Sequence, residues 1–325
     1  MKSLKTIKLL GLGLALVLWT MAGVSSGEMG LAQPACDLWV EPGESIQEKI
    51  DDASPGTVIC LEEGTWQENL KIEKSLTLRG QGKELSIIKG KEEGYPVLHI
   101  TSDSEIEVVI ESLTITEAFG RCAVEDPQWI CAHGIELRGK ARLILTNSQI
   151  SGNEGSLGVY SISMGDSSQA TISGSQISGN RGGIHMRGSS QATISGSQIS
   201  GNGGDGIWMW GSPQATLTSS KISGNELDGI WMYDSSQAEI KDSIIEGNGT
   251  REKCKEADWI CNGIEVSKEA HVELWDTTIR NNTDWGIAAV LRKCGYDYNL
   301  FRGTVLWRDR GNSIYGNGAG DVCLP

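Results

Sequence analysis

Apolar and polar positions alternate in short runs along the middle of the chain, and the runs recur. Ala170, Ile172 and Ile177 return as Ala192, Ile194 and Ile199, as Ala215, Leu217 and Ile222, and as Ala238, Ile240 and Ile245. Gln, Thr, Ser and Lys fill the positions between them. A period of two predicts half-buried strands, and no 3.6-residue period competes with it. Aligned on Asn180, Asn202, Asn225 and Asn248, the units are 22, 23 and 23 residues long. A Gly-Ile step follows three of these asparagines, at Gly183-Ile184, Gly206-Ile207 and Gly229-Ile230. One thirteen-residue segment, SQATISGSQISGN, occurs twice without change, at Ser168–Asn180 and Ser190–Asn202.

Short strands that return every 22–23 residues describe one coil of a parallel β-solenoid. Identical positions then stack at the strand spacing of about 4.8 Å, which favours any residue that packs on its own copy. The inward columns become Ile and Ala stacks. Ser148, Ser175, Ser197, Ser220, Ser243 and Thr277 form a polar turn ladder that continues at Asn312. The reading is an all-β fold of about nine coils. Two similar insertions, near residues 119–133 and 249–262, interrupt it just before a Gly-Ile strand, each bounded by cysteines.

The repeat resembles that of right-handed parallel β-helix proteins, whose short units follow the type I-x-x-N-x-x-G-I. These include pectate-lyase-like sugar hydrolases, carbohydrate-binding β-helices and the NosD-like copper-site accessory proteins of nitrous oxide reductase. The stretch SIQEKIDDASPGTVICLEEGTWQENLKIEKSLTLRGQGKELSIIKG resembles the opening that pectin esterases share, and it implies a capping helix over Ser45–Ala53. The resemblance covers residues 38–320 and implies a fold rather than a chemistry, because this superfold hosts many activities. Residues 36–96 are expected to form the N-terminal cap and first coil, 97–292 the regular coils, and 293–325 a C-terminal cap.

Function should lie where the units differ. With Ile184, Ile207 and Ile230 inward, the outward positions are His185, Trp208 and Trp231, then Arg187, Trp210 and Tyr233. Met164, Met186, Met209 and Met232 fall inward. Asp205 and Asp228 precede the Gly-Ile step on adjacent coils. Trp129 and Trp259 belong to the two insertions, close to Glu136 and Glu265. Adjacent outward aromatics beside carboxylates suit a chain-like polar ligand: sugar rings stack on Trp and Tyr while Asp, Glu, Arg and His bond hydroxyls. The same aromatics could instead meet a protein partner or simply ladder on one another.

Asp205 and Asp228 are candidate catalytic residues. Two carboxylates on neighbouring strands push one pKa up, as an acid/base pair requires. Asp-Gly-Ile also resembles part of the Asn-Thr-Asp-Gly-Ile segment of polygalacturonases. The chain departs from that family in lacking Gly-His-Gly and Arg-x-Lys. It also lacks the Trp-Ile-Asp-His of pectate lyases and the Gln-Asp and Gly-Arg patterns of pectin esterases. A turn role for both aspartates is the competing reading. No metal or other cofactor is required; calcium at Asp205 and Asp228 beside a bound uronate is compatible with the pattern, and an inward Met column argues for filler rather than a copper site.

Charge and composition narrow the partners. With 28 Lys+Arg against 42 Asp+Glu, the net charge is −14, which speaks against nucleic acid. Lys2, Lys5 and Lys8 precede the apolar run 9–24 and the small residues Ser25, Ser26 and Gly27, so residues 1–26 read as an export signal. An uncleaved N-terminal anchor is the alternative, and no span in the mature chain, 27–325, is apolar enough to cross a membrane. Eight cysteines in an exported chain imply disulfides, and nearest-neighbour pairing gives Cys36–Cys60, Cys122–Cys131, Cys254–Cys261 and Cys294–Cys323. The expected protein is secreted, periplasmic or extracellular, and binds a polysaccharide or cell-surface glycan, with cleavage by hydrolysis or elimination as a further step. The alternatives are a structural or adhesion β-helix and a metalloenzyme accessory protein.

Overall fold

A computed structural model describes residues 35–125, 128–155, 158–255, 260–308 and 311–325. The export segment expected over residues 1–26 lies outside the described residues. Almost every strand pairs in parallel with the strand one coil away, in a ten-stranded sheet and a nineteen-stranded one. The register follows the sequence columns directly: Ala170, Ala192, Ala215 and Ala238 are successive partners, as are Ile172, Ile194, Leu217 and Ile240. The third strand of each coil stacks Ile177, Ile199, Ile222 and Ile245. These side chains are buried and join one continuous core. The structure is therefore a parallel β-helix. Its ten-stranded sheet counts ten rungs where the repeat suggests about nine, because the first coils around Gly64–Gln67 and Ser86–Lys89 carry no recognisable repeat unit.

Two buried polar ladders hold the turns. Ser148 N–H donates to Ser175 Oγ, Ser175 N–H to Ser197 Oγ, Ser197 N–H to Ser220 Oγ and Ser220 N–H to Ser243 Oγ, at 3.1–3.3 Å. Thr277 N–H donates to Asn312 Oδ1 at the far end. The second ladder runs through Asn153, Asn180, Asn202, Asn225, Asn248, Asn282 and Asn317. In each step one side-chain oxygen accepts both the N–H and the Nδ2 of the asparagine before it, for example from Asn202 to Asn225 at 3.2 and 2.9 Å. Buried turn amides that lack a partner cost free energy, so the ladder needs an amide side chain on every coil. The residue before these asparagines has the same left-handed backbone, φ +63° at Gly179, +60° at Gly201 and +63° at Gly224; it is glycine except before Asn282, where Asn281, a residue type that tolerates this region, takes it at +55°. Most side chains there would be strained, and the repeated Ser-Gly-Asn is the result.

The N-terminal end is covered by the helix Ile46–Asp52, whose Ile46 and Ile50 join the core. Ser45 caps it by accepting from Glu48 N–H, and Glu68 accepts from the Ile46 and Gln47 N–H groups at 3.0 and 3.1 Å. At the other end, the strands Thr304–Trp307, Ser313–Tyr315 and Gly320–Cys323 pair with the rung before them. These strands build a further rung where residues 293–325 were expected to form a cap, because the long excursion over residues 291–303 hides that rung from the repeat. All four disulfides follow nearest-neighbour pairing: Cys36–Cys60, Cys122–Cys131, Cys254–Cys261 and Cys294–Cys323. Among the described residues no helix is long and apolar enough to cross a membrane.

Candidate functional site

The Gly-Ile strands place one outward residue per rung in a single column. Glu136, Ser163, His185, Trp208, Trp231 and Glu265 are successive register partners. The second outward column holds Arg187 beside Trp210, with Tyr233 on the following rung, where its N–H reaches Met209 O. Met164, Met186, Met209 and Met232 alternate with them and are fully buried, so they fill the core.

At one rung spacing, flat rings in one column stack. His185 lies on Trp208 with centroids 4.4 Å apart, and Trp208 on Trp231 at 5.1 Å with the rings within 7° of parallel. Tyr160 joins the stack beside His185 at 4.6 Å, and His133 lies beyond it. Both faces of Trp208 are thus taken by protein rings, and Trp231 keeps free only the face turned towards Glu265. Tyr233 has Lys268 Nζ over its ring at 4.2 Å. Trp210 is the open aromatic of the set, 49% exposed. Glu136 is buried and held by Arg138, whose Nε and Nη2 donate at 2.8 and 2.6 Å. Only the backbone of Trp129 is described, and Trp259 lies outside the described residues.

Asp205, Asp228 and Glu265 meet at the open face of Trp231. With Leu227, Ile260, Cys261, Tyr296 and Tyr298 they line a cleft of about 540 Å³. Asp228 N–H donates to Asp205 Oδ1 at 3.0 Å, and Asn262 N–H donates to Asp228 Oδ1. Tyr296 Oη donates to Glu265 Oε2 at 2.7 Å and accepts from Asn262 Nδ2 at 2.9 Å. Burial raises Asp205 to about 7 against the opposing bond from the Asp228 amide. Burial also lifts Asp228 well above the usual carboxylate range, and repulsion from Glu265 and Asp205 adds to it. Glu265 rises to about 7 by burial, opposed first by the Tyr296 hydroxyl and then by the Trp231 indole N–H. That indole nitrogen faces Glu265 at a geometry short of a regular hydrogen bond. Burial, then the charges of Glu265 and Asp228, keeps Tyr296 protonated.

The same contacts show a structural duty. Asp205, Asp228 and Asn262 form a short ladder in which each side chain accepts the N–H of the next rung, ending at Trp285 N–H. Tyr296 and Tyr298 were not expected at the site. They arrive on the excursion over residues 291–303, which Cys294–Cys323 and the bond from Trp285 Nε1 to Cys294 O pin to the coil. The available signal was an aromatic segment, Cys294-Gly295-Tyr296-Asp297-Tyr298, bounded by a cysteine and outside the repeat. Among the described residues no group of three or more His, Cys, Asp or Glu is arranged to hold a metal ion.

Parallel register over ten rungs and an outward aromatic and acidic face define a right-handed parallel β-helix with a lateral cleft. Residues 133–317 match the family described as right handed beta helix region, and the chain belongs to that family. No curated protein sequence matches the chain. Among solved structures it is similar to the pectate lyase Pel9A, at 11% identity and a TM-score of 0.48, covering 89% of this chain and 82% of that one. It is also similar to an alginate lyase from Paenibacillus sp. str. FPU-7, at 16% identity and 0.47, covering 88% and 99%. A PL6 family polysaccharide lyase, Pedsa3628 from Pseudopedobacter saltans, is similar at 12% identity and 0.47, covering 86% and 77%.

Proposed function

We propose that this is an exported β-helix that binds a polysaccharide on the exposed Trp210 and the free face of Trp231 and cleaves it at the Asp205–Asp228–Glu265 cleft. One observation carries the reading: three carboxyls share a water-accessible cleft with the free face of Trp231 and with Tyr296, and burial holds Asp205 and Glu265 near 7. Groups that titrate near neutrality exchange protons most effectively at neutral pH. A protonated carboxyl in the cluster gives its proton to the glycosidic oxygen, an ionised one takes a proton from the attacking water, and the Trp231 face carries the sugar ring. Four disulfides suit an oxidising, extracytoplasmic compartment.

A second reading, glycan binding without cleavage, is favoured by the ladder duty of the two aspartates. The variants Asp205→Asn and Asp228→Asn separate the two. Asparagine keeps the accepting oxygen, and Asn262 already fills the same column, so the fold survives while the titrating group is lost. Cleavage of plant, algal and bacterial polysaccharides by the parent, abolished in both variants with binding retained, supports the enzyme. Binding by the parent with no reducing or unsaturated ends released supports the second reading, and no binding at all sinks both.

A further inference from the structure

Arg138, Gly165 and Arg187 occupy one column on three consecutive rungs, each the residue after a register-paired core position, Leu137, Met164 and Met186. The glycine leaves a notch between the two arginines. A Cβ placed on Gly165 would lie 3.2 Å from Arg138 Nη1 and 3.4 Å from Arg187 Nε, so both guanidiniums fold over it. Arg138 uses Nε and Nη2 on the buried Glu136, which leaves Nη1 towards the notch. The Arg187 side chain has no hydrogen-bond or ion-pair partner among the described residues, although it is partly desolvated and next to a like charge. The carboxylates of Glu136 and then Asp166 act on Arg187 through space, but Glu136 is held by Arg138 and Asp166 Oδ2 accepts from Gly139 N–H at 2.9 Å. The neighbouring rings are uncharged: His185, nearly buried with Nε2 unpartnered, and His133 are both held to about 3, by burial first and then by nearby positive or ring groups including both arginines. Tyr160 completes the surround.

A desolvated guanidinium without a partner is costly, and two of them converging on a glycine fit the fork geometry that Arg offers to oxyanions. We propose that the Gly165 notch binds one oxyanion, a carboxylate or a sulfate ester, borne by the polysaccharide; the polymeric carrier, though not the notch, rests on the function proposed above. The rung of Gly165 lies three rungs from that of Asp228, roughly 14 Å at the strand spacing. The charged sugar is thus held away from the acidic cleft, where three carboxyls would repel it. The substrate class is a heteropolysaccharide with spaced anionic units, whose uncharged sugars occupy the cleft, rather than a continuous polyanion.

The test uses the full exported chain with disulfides intact. Sodium sulfate and sodium glucuronate are titrated at constant ionic strength while arginine Nε–H resonances are followed, and affinities are measured for oligosaccharides that differ only in carrying no anion, one glucuronate or one sulfate ester. The parent, Arg187→Gln and Gly165→Ala are compared. Gly165→Ala fills the notch against movable arginine side chains, not backbone, so it folds. Expected is saturable shift of two arginine resonances by one of the ions in the parent and its loss in both variants. Affinity for the matching anionic oligosaccharide should fall about tenfold, with no change for the neutral one, and the better ion separates carboxylate from sulfate. Failure of both ions to bind the parent, or variants that bind as the parent does, overturns the notch. Binding of small oxyanions but of no glycan would retire the polysaccharide reading and leave the notch standing.

Discussion

Asp228 donates its backbone N–H to the side chain of Asp205 on the rung before, at 3.0 Å. This bond ties the two candidate acids together and also serves the turn. Because Asn262 does for Trp285 what Asp205 does for Asp228, an amide replaces either carboxyl without loss of the ladder. Asp205→Asn and Asp228→Asn should therefore keep the parent's melting temperature within a few degrees and lower kcat by about 10²–10⁴-fold. Steady-state kinetics on a cleaved glycan, with thermal unfolding alongside, checks both parts.

Glu265 sets a pH dependence of stability. Its folded-state value, about 7, lies above the ordinary 4.5, so the folded state holds the proton more tightly than the unfolded state. The stability this confers is complete below about 4.5 and is lost as pH rises through 7. His133 and His185, held to about 3, act in the opposite sense, losing stability as pH falls from 6.5 towards 3. Comparing Glu265→Gln with the parent isolates the acid: the two should unfold alike at pH 4, and the variant should be the more stable at pH 8. Denaturant melts across that range measure the difference, and a constant gap would contradict the assignment.

Tyr296→Phe removes the hydroxyl that opposes the rise of Glu265. The Glu265 titration, followed by carboxyl NMR or by the pH profile of any activity, should move upward. An unchanged titration would mean that Tyr296 only closes the cleft.

The aromatic column predicts different costs for two adjacent tryptophans. Trp208 is sandwiched between His185 and Trp231, so Trp208→Ala should cost about 3 kcal/mol. Trp210, 49% exposed, has no stacked ring neighbour among the described residues, and Trp210→Ala should change stability by less than about 0.5 kcal/mol while weakening glycan binding. Chemical denaturation and affinity electrophoresis read the two effects separately.

Asn225→Ala should be costly although it removes a small side chain. Asn202 N–H and Nδ2 both lose their acceptor, while Asn248 Oδ1 loses the Nδ2 donor and keeps only the backbone N–H of residue 225. Two buried donors left unpaired predict a loss of about 3 kcal/mol, measurable by urea unfolding.

Much of this molecule was legible in its sequence because each rung packs on a copy of itself. The 22- and 23-residue spacing became strand register without adjustment at Ala170, Ala192, Ala215 and Ala238. The Ser column became a hydrogen-bonded ladder, and the inward Met column became core. The inward and outward alternation of His185, Met186 and Arg187 also followed from strand geometry alone. Two things escaped. The outward tryptophans were expected to offer their faces to a ligand, whereas flat rings one rung apart bury those faces on each other and leave a single one free at Trp231. Glu136 was expected at the groove, whereas Arg138, two residues along the same strand, covers it.

The repeat by itself determined the coil, its register and its ladders, since those depend on contacts between equivalent positions at a fixed period. Tertiary structure alone decided the composition of the cleft. Tyr296 follows Glu265 by 31 residues and reaches it on a disulfide-pinned excursion that obeys no period. The raised titration of Asp205, Asp228 and Glu265 likewise depends on what that excursion and its neighbours exclude from water, a property of the assembled fold.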